Sequence, residues 1–289
     1  MNYLLKLKVV ILVFLLLACN IDEQSSDFID KEENKLKEES PNDMLTRAYQ
    51  LFKEGNDKES IELANKVLEI GRQSNNDTLI GRALTSLCRN SQRKLDTIRL
   101  SELSNQLIDL ATSSQNKQWI MYQAHMNAEM YRLVGNLNKA ESYYDQSMEI
   151  SFEIKAMEMY MIDHFNKSFV STAKGDFSSA RDLIKKYYTL REDLNRNPED
   201  PYGLIALAYL LEQEGSYEEA HEVATVTRRL FKEQNLFPEP PDEKPLLIVE
   251  KKVTEVLDNI ILDSISNESD SATVPSLLTK YLFINKPLK

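Results

Sequence analysis

Residues 135–150 read GNLNKAESYYDQSMEI, a glycine followed by a helix cap and a helix with one apolar face. Forty residues on, GDFSSARDLIKKYYTL begins at Gly175, and forty further, GSYEEAHEVATVTRRL begins at Gly215. Forty residues back, LDTIRLSELSNQLIDL begins at Leu95 without the glycine, and GNDKESIELANKVLEI begins at Gly55. Copies at one fixed step define a repeat array, and that reading precedes any other.

The copies agree where physics demands it. One residue after the turn position stand Asn56, Asp96, Asn136, Asp176 and Ser216, side chains that accept a hydrogen bond from the unpaired N–H groups of a following helix. Ser216 and Glu219 have capping-box spacing. Four of the chain's seven glycines fall in the turn phase, as expected of a left-handed residue that ends a helix. Leu95, which takes that place without being glycine, is expected to mark an altered turn. Ala48, Cys88, Ala128, Ser168 and Ala208 stand seven before the turn. Ser60, Leu100, Ala140, Ala180 and Ala220 stand five after it. Small residues on facing helices let two axes approach to the close end of the usual 8–10 Å range. Ile70, Leu110, Ile150, Leu190 and Leu230 supply a constant apolar contact. Each unit is therefore helix A, tight turn, helix B.

Over residues 42–235 this pattern resembles the tetratricopeptide repeat (TPR) family, whose units carry small residues on both helices and a glycine between them. The step of forty exceeds that family's usual 34 or so, so the extra residues must lengthen the helices or the loops from B to the next A. HEAT and armadillo units have a compatible period, but the turn glycine and paired small positions favour TPR. The fold class expected is all-α, an α-α superhelix of about five helix-turn-helix units with a C-terminal capping helix. The A helices are expected near 43–54, 78–93, 117–134, 157–174 and 201–214. The B helices are expected near 57–73, 97–113, 137–154, 177–195 and 217–235.

The flanks differ in composition. Residues 1–18 carry Lys6 and Lys8, then an apolar run ending in Ala18, then Cys19. A basic start, a short apolar core and a small residue before the cut read as an export signal, too short for a comfortable membrane span. Leu16-Leu17-Ala18-Cys19 resembles a bacterial lipobox, which implies lipidation of Cys19. Residues 19–41 form an acidic tether; positions 20–41 hold eight acidic and three basic residues and too little apolar surface to order themselves. Residues 236–289 are expected to supply a capping helix and tail. LFPEPPDEKP at 236–245 breaks the period, and Val249, Val253, Val256, Leu257, Ile260 and Ile261 then recur at helical spacing.

Loss of Lys6 and Lys8 with the signal would take the net charge from −11 to −13. That sign opposes phosphate backbones, and no basic stripe with interleaved aromatics is present, so no nucleic-acid partner is expected. With Cys19 acylated, Cys88 has no partner and there is no disulfide framework. No phosphate loop, Gly-x-Ser-x-Gly or His-Glu-x-x-His occurs. His125 and Glu129, four apart, are a weak metal or acid–base signal and lack a third ligand. No cofactor, metal or enzymatic activity is expected.

The resemblance implies that helix A lines a concave groove. The matching phases are Arg82, Arg89 and Arg93; Tyr122, His125, Glu129 and Arg132; Phe165 and Phe169; and Tyr202 and Tyr209. Arginine and aromatic residues are enriched at binding hot spots, although aromatics here also have the alternative of packing between A helices. The family's carboxylate clamp is not reproduced, since its asparagine phase reads Tyr49, Arg89, Glu129, Phe169 and Tyr209. The expectation is a scaffold for a protein or peptide partner, lipid-anchored at the bacterial cell envelope, on the outer membrane. A glycan-capturing surface lipoprotein and the sensor subunit of an envelope signalling system are the alternatives.

Overall fold

The computed structural model describes residues 39–283. The export signal, Cys19, most of the acidic tether and residues 284–289 lie outside the described residues. The chain falls into two units, Met1–Met44 and Leu45–Lys289, and the repeat stack occupies the second. No described residue is in a strand.

Helix α1 spans Pro41–Lys53, α2 Asp57–Gln73, α3 Asp77–Arg93, α4 Thr97–Ser114 and α5 Lys117–Leu133. Then come α6 Leu137–Glu153, α7 Met157–Ala173, α8 Phe177–Asp193, α9 Tyr202–Gln213 and α10 Tyr217–Glu233. From α2 to α10 each helix packs on the next, while α3, α5, α7 and α9 also touch in sequence. These odd-numbered helices are the A helices, flanked by neighbours on more sides. The forty-residue step is spent on helix length. A typical unit is two helices of 17 residues joined by three-residue turns.

The two repeat phases read from sequence as helix-packing positions lie inside the stack. Ala48, Cys88, Ala128, Ser168 and Ala208 are fully buried, as are Ser60, Leu100, Ala140, Ala180 and Ala220. The Cys88 thiol lies in this packing, and burial pushes its pKa up to about 12, leaving almost no reactive thiolate at neutral pH.

Both kinds of turn place a left-handed residue at the same point. Gly55, Gly135, Gly175 and Gly215 have φ between 77° and 81°. After them, Asn56, Asn136, Asp176 and Ser216 return an N–H to the carbonyl five residues earlier, at 2.8–3.0 Å. That is the wide bond of a Schellman cap. Leu95 does not alter the turn as the sequence suggests. It adopts φ 55° and keeps the same bond, Asp96 N–H to Ser91 O at 2.9 Å. The turns from B to A repeat the device at Asn75, Lys155, Asn195 and Asn235, and Gln115 shares their left-handed backbone, all with φ between 49° and 60°. At Gln115, however, the next N–H, of Asn116, turns to the Ser114 hydroxyl at 3.4 Å. Left-handed residues therefore recur every twenty positions from 55 to 235.

Capping follows the sequence in part. Asp96, Asn136 and Asp176 accept from the N–H three residues on. Asn56 and Ser216 make no side-chain cap bond, so the expected capping box at Ser216 and Glu219 does not form.

The C-terminal region holds more than one helix. Helix α11 spans Pro240–Val256, α12 Asn259–Glu268 and α13 Val274–Leu278, followed by a π turn at Thr279–Phe283. The apolar period from Val249 to Ile261 is thus divided: Leu257 is extended and Asp258 caps a new helix. Leu246, Val249 and Val253 are buried while Ile260 is 82% exposed. Helix α11 lies on α9 and α10 in the place of a sixth A helix, hiding apolar surface that the last unit would otherwise expose.

Candidate partner-binding face

The A helices present one phase of residues along the inner side, and it runs from Tyr49 through Arg89, Glu129 and Phe169 to Tyr209. Neighbours at the two ends of this row touch across units. The Arg89 guanidinium lies 5.6 Å from the Tyr49 ring centroid, and the Phe169 and Tyr209 rings are 6.2 Å apart.

At the first three A helices the row opens into a cleft of about 330 Å³, lined by residues that include Tyr49, Arg82, Arg89, Trp119 and Tyr122. Arg82 is exposed and Arg89 half-buried. The Trp119 indole fills the space over Gly81, where an added Cβ would come within 2.6 Å of the ring. The Tyr122 ring stands 6.1 Å from it. Leu45 and threonine, serine and glutamine side chains complete the lining, so the cleft offers two guanidinium groups beside aromatic faces. Tyr49 and Trp119 are additions to the wall assigned from sequence. Tyr49 shares the phase of Arg89, and that repeat phase was the signal available.

Further along the row the side chains turn to one another. Arg93 lies over the Phe52 ring, donates to the Phe52 carbonyl, and pairs with Asp57 at 3.2 Å and Glu239 at 3.3 Å. His125 is 6% exposed, and its Nδ1 is 2.7 Å from the fully buried Asp163 carboxylate. Burial pulls the His125 pKa down, but the charge and hydrogen bond of Asp163, with Glu129 behind, outweigh it and hold it above the ordinary histidine value. Glu129 is fully buried and accepts from Arg132 at 2.8 Å, from Gln92, and from the Tyr144 hydroxyl. Burial alone would raise its pKa; Arg132, His125 and these donors hold it below the usual glutamate value.

Phe165 and Phe169 are buried and packed edge to face, 5.0 Å between centroids. The Arg132 guanidinium stands 5.6 Å from the Phe169 ring. Tyr202 is half-buried; its hydroxyl donates to the Phe237 carbonyl at 3.0 Å and its ring meets Phe231 edge-on. Of the wall assigned from sequence, the structure brings Arg82, Arg89 and Tyr122 together at the cleft. It closes His125, Glu129, Phe165 and Phe169 into packing between A helices.

Among the described residues no group of three His, Cys, Asp or Glu side chains is placed to hold a metal ion. No described helix is long and apolar enough to cross a membrane.

No protein-family profile matches the sequence, and no curated protein matches it. Solved structures do. The Rap protein in its complex with Competence and Sporulation Factor superposes with a TM-score of 0.62 at 17% identity, over 88% of this chain and 70% of that one. TTC0263, a TPR protein of Thermus thermophilus, superposes with a TM-score of 0.51 at 17% identity, over 75% of this chain and all of that one. The fold is that of the TPR proteins. At such identities the likeness is one of architecture, and it agrees with the helix pairs, the small-residue phases and the left-handed turns of this TPR-like stack.

Proposed function

We propose that this chain is a lipid-anchored, TPR-like scaffold at the bacterial cell envelope that holds a peptide segment of a protein partner and performs no chemistry of its own. The observation that carries the reading is the open cleft on α1, α3 and α5. Arg82 and Arg89 would grip a carboxylate, for which guanidinium is suited by its paired donors. Tyr49, Trp119 and Tyr122 would take an adjoining apolar side chain. Arginine and aromatic side chains such as these are enriched among the few residues that carry most of the energy of an interface. The Rap protein of similar fold was solved with a bound factor, which agrees with this use of the architecture. Anchoring at Cys19 rests on the basic, apolar and small residues before it.

The test is crosslinking capture from envelope membranes with the full chain and with an Arg82→Glu, Arg89→Glu double variant. Arg93 is kept, because its contacts with Phe52, Asp57 and Glu239 are internal. The expected outcome is loss of the captured partner with unchanged thermal melting. Undiminished capture by the folded variant would move the partner to another face. Intact mass of the mature N-terminus should show an acylated Cys19; an unmodified cysteine there removes the anchor from the proposal.

A further inference from the structure

The two arginines of the cleft start from different levels of one helix. Arg82 and Arg89 are seven residues apart on α3, so their backbone positions are separated by about 10.5 Å along its axis. Each has aromatic company from a different neighbour. The Arg89 guanidinium lies toward α1, 5.6 Å from the centroid of the exposed Tyr49 ring. Arg82 follows Gly81, and the Trp119 indole of α5 lies over that glycine with Tyr122 beside it. Arg82 and Tyr122 share one repeat phase, Arg89 and Tyr49 another. Between the two levels the wall is short-chained, Thr85 and Ser86, and the Thr85 hydroxyl is spent on the Gly81 carbonyl at 2.8 Å. The cleft is thus two arginine–aromatic half-sites with low ground between them.

We propose that the cleft, taken as the partner's site in the reading above on which this rests, recognises an extended peptide segment with two acidic side chains three residues apart, one held by Arg89 beside Tyr49 and the other by Arg82 beside Tyr122.

Charge sets the class of ligand. Among the described residues that line the cleft none is acidic, so its field is positive on a chain of net charge −11, the sign that draws an acidic segment. Guanidinium is always charged and grips a carboxylate through paired donors. Length sets the spacing. A polyproline II segment has three residues per turn and rises about 3.1 Å per residue, so side chains three apart project on one side, about 9.3 Å from each other. That matches the separation of the arginines. A β-strand puts side chains of one face two or four residues apart, about 6.5–7 or 13–13.5 Å, which is too short or too long. A helical ligand fits worse still. Two turns of a helix with its side chains occupy about 800 Å³ or more, against a cleft of about 330 Å³. A single carboxylate shared by both guanidinium groups is the alternative, and the two arrangements differ in what each arginine contributes.

The probes are synthetic peptides of one composition, free of tryptophan and capped at both ends so that no terminal carboxylate counts. They carry two aspartates one, three or six residues apart, and a fourth replaces one aspartate of the three-residue pair by asparagine. Isothermal titration calorimetry with the full chain reads affinity, and fluorescence of Trp119, the chain's single tryptophan, reports occupancy of the cleft. The three-residue spacing should bind about tenfold tighter than the other three peptides, which each forgo one charge-assisted pair. In Arg82→Gln, and separately in Arg89→Gln, that advantage should vanish, so that the spaced pair binds no better than the single aspartate. Arg82 is exposed, so R82Q keeps the comparison available should R89Q fold poorly. Equal affinity at all spacings, a single aspartate as tight as the spaced pair, an advantage that survives the substitutions, or a series in which no peptide binds would each overturn the proposal. None of these results removes the cleft as the partner's site, which is decided separately by capture with the double glutamate variant.

Discussion

Gly175 has φ 77°, and a Cβ built on it would meet nothing within 4 Å. Space is therefore not what keeps a side chain out; the left-handed backbone is. Gly175→Val should cost on the order of 1–2 kcal/mol, read as a fall of several degrees in melting temperature. Leu95 holds the same conformation at φ 55° with a side chain 44% exposed. Leu95→Gly should therefore stabilise, by up to about 1 kcal/mol once glycine's unfolded-state entropy is subtracted. Two substitutions of equal sign would refute the turn assignment. At this scale the sequence was most legible where only glycine suits the backbone. The matching residues Asn75, Gln115, Lys155, Asn195 and Asn235 carry no such mark, and the three asparagines, which tolerate the left-handed region, were the one available hint.

Helices α5 and α7 are joined by a buried ion pair, His125 with Asp163. Removing one member of a buried pair strands the other at a cost of about 3–5 kcal/mol. The His125 pKa is raised in the folded chain, so the pair's contribution is fully present below the unfolded histidine value of 6.5 and is lost as pH rises through the folded one. Glu129 has the opposite sign: its pKa is lowered, and its contribution is lost as pH falls below the usual glutamate range. Asp163→Asn should thus lower the melting temperature markedly at mildly acid pH and much less at alkaline pH. A penalty independent of pH would mean that the histidine is neutral throughout. Helix limits could be read to within a few residues from capping and period. The pairings could not, because His125 and Glu129 share a helical phase with Tyr122. Nothing in that phase says which side chains turn toward α7 and which toward the cleft. Arg93 shows the same gap: its phase matches Arg89 and Arg82, but its partners Asp57 and Glu239 lie 36 and 146 positions away.

Over the whole stack, the five units were readable because every copy repeats the same constraints. The course of Phe237–Asp242 was not, because LFPEPPDEKP leaves the period and a contact with α3 has no local signature. The spacing of the left-handed turns, one every twenty residues from 55 to 235, has a mechanical consequence. Units in such a stack touch mainly their neighbours, and each closes the same length of chain between equivalent turns. Pulled between two handles in an optical trap, the repeat region should lengthen in equal increments, a forty-residue unit releasing at most about 130–145 Å of extended chain before its folded length is subtracted. The unit containing α9 should stand apart, because its first helix has 12 residues and lies under α11. It should yield only after the Arg93–Glu239 contact of α3 with the start of α11 has parted, so the force record would show a rigid clasp at one end of a uniform spring.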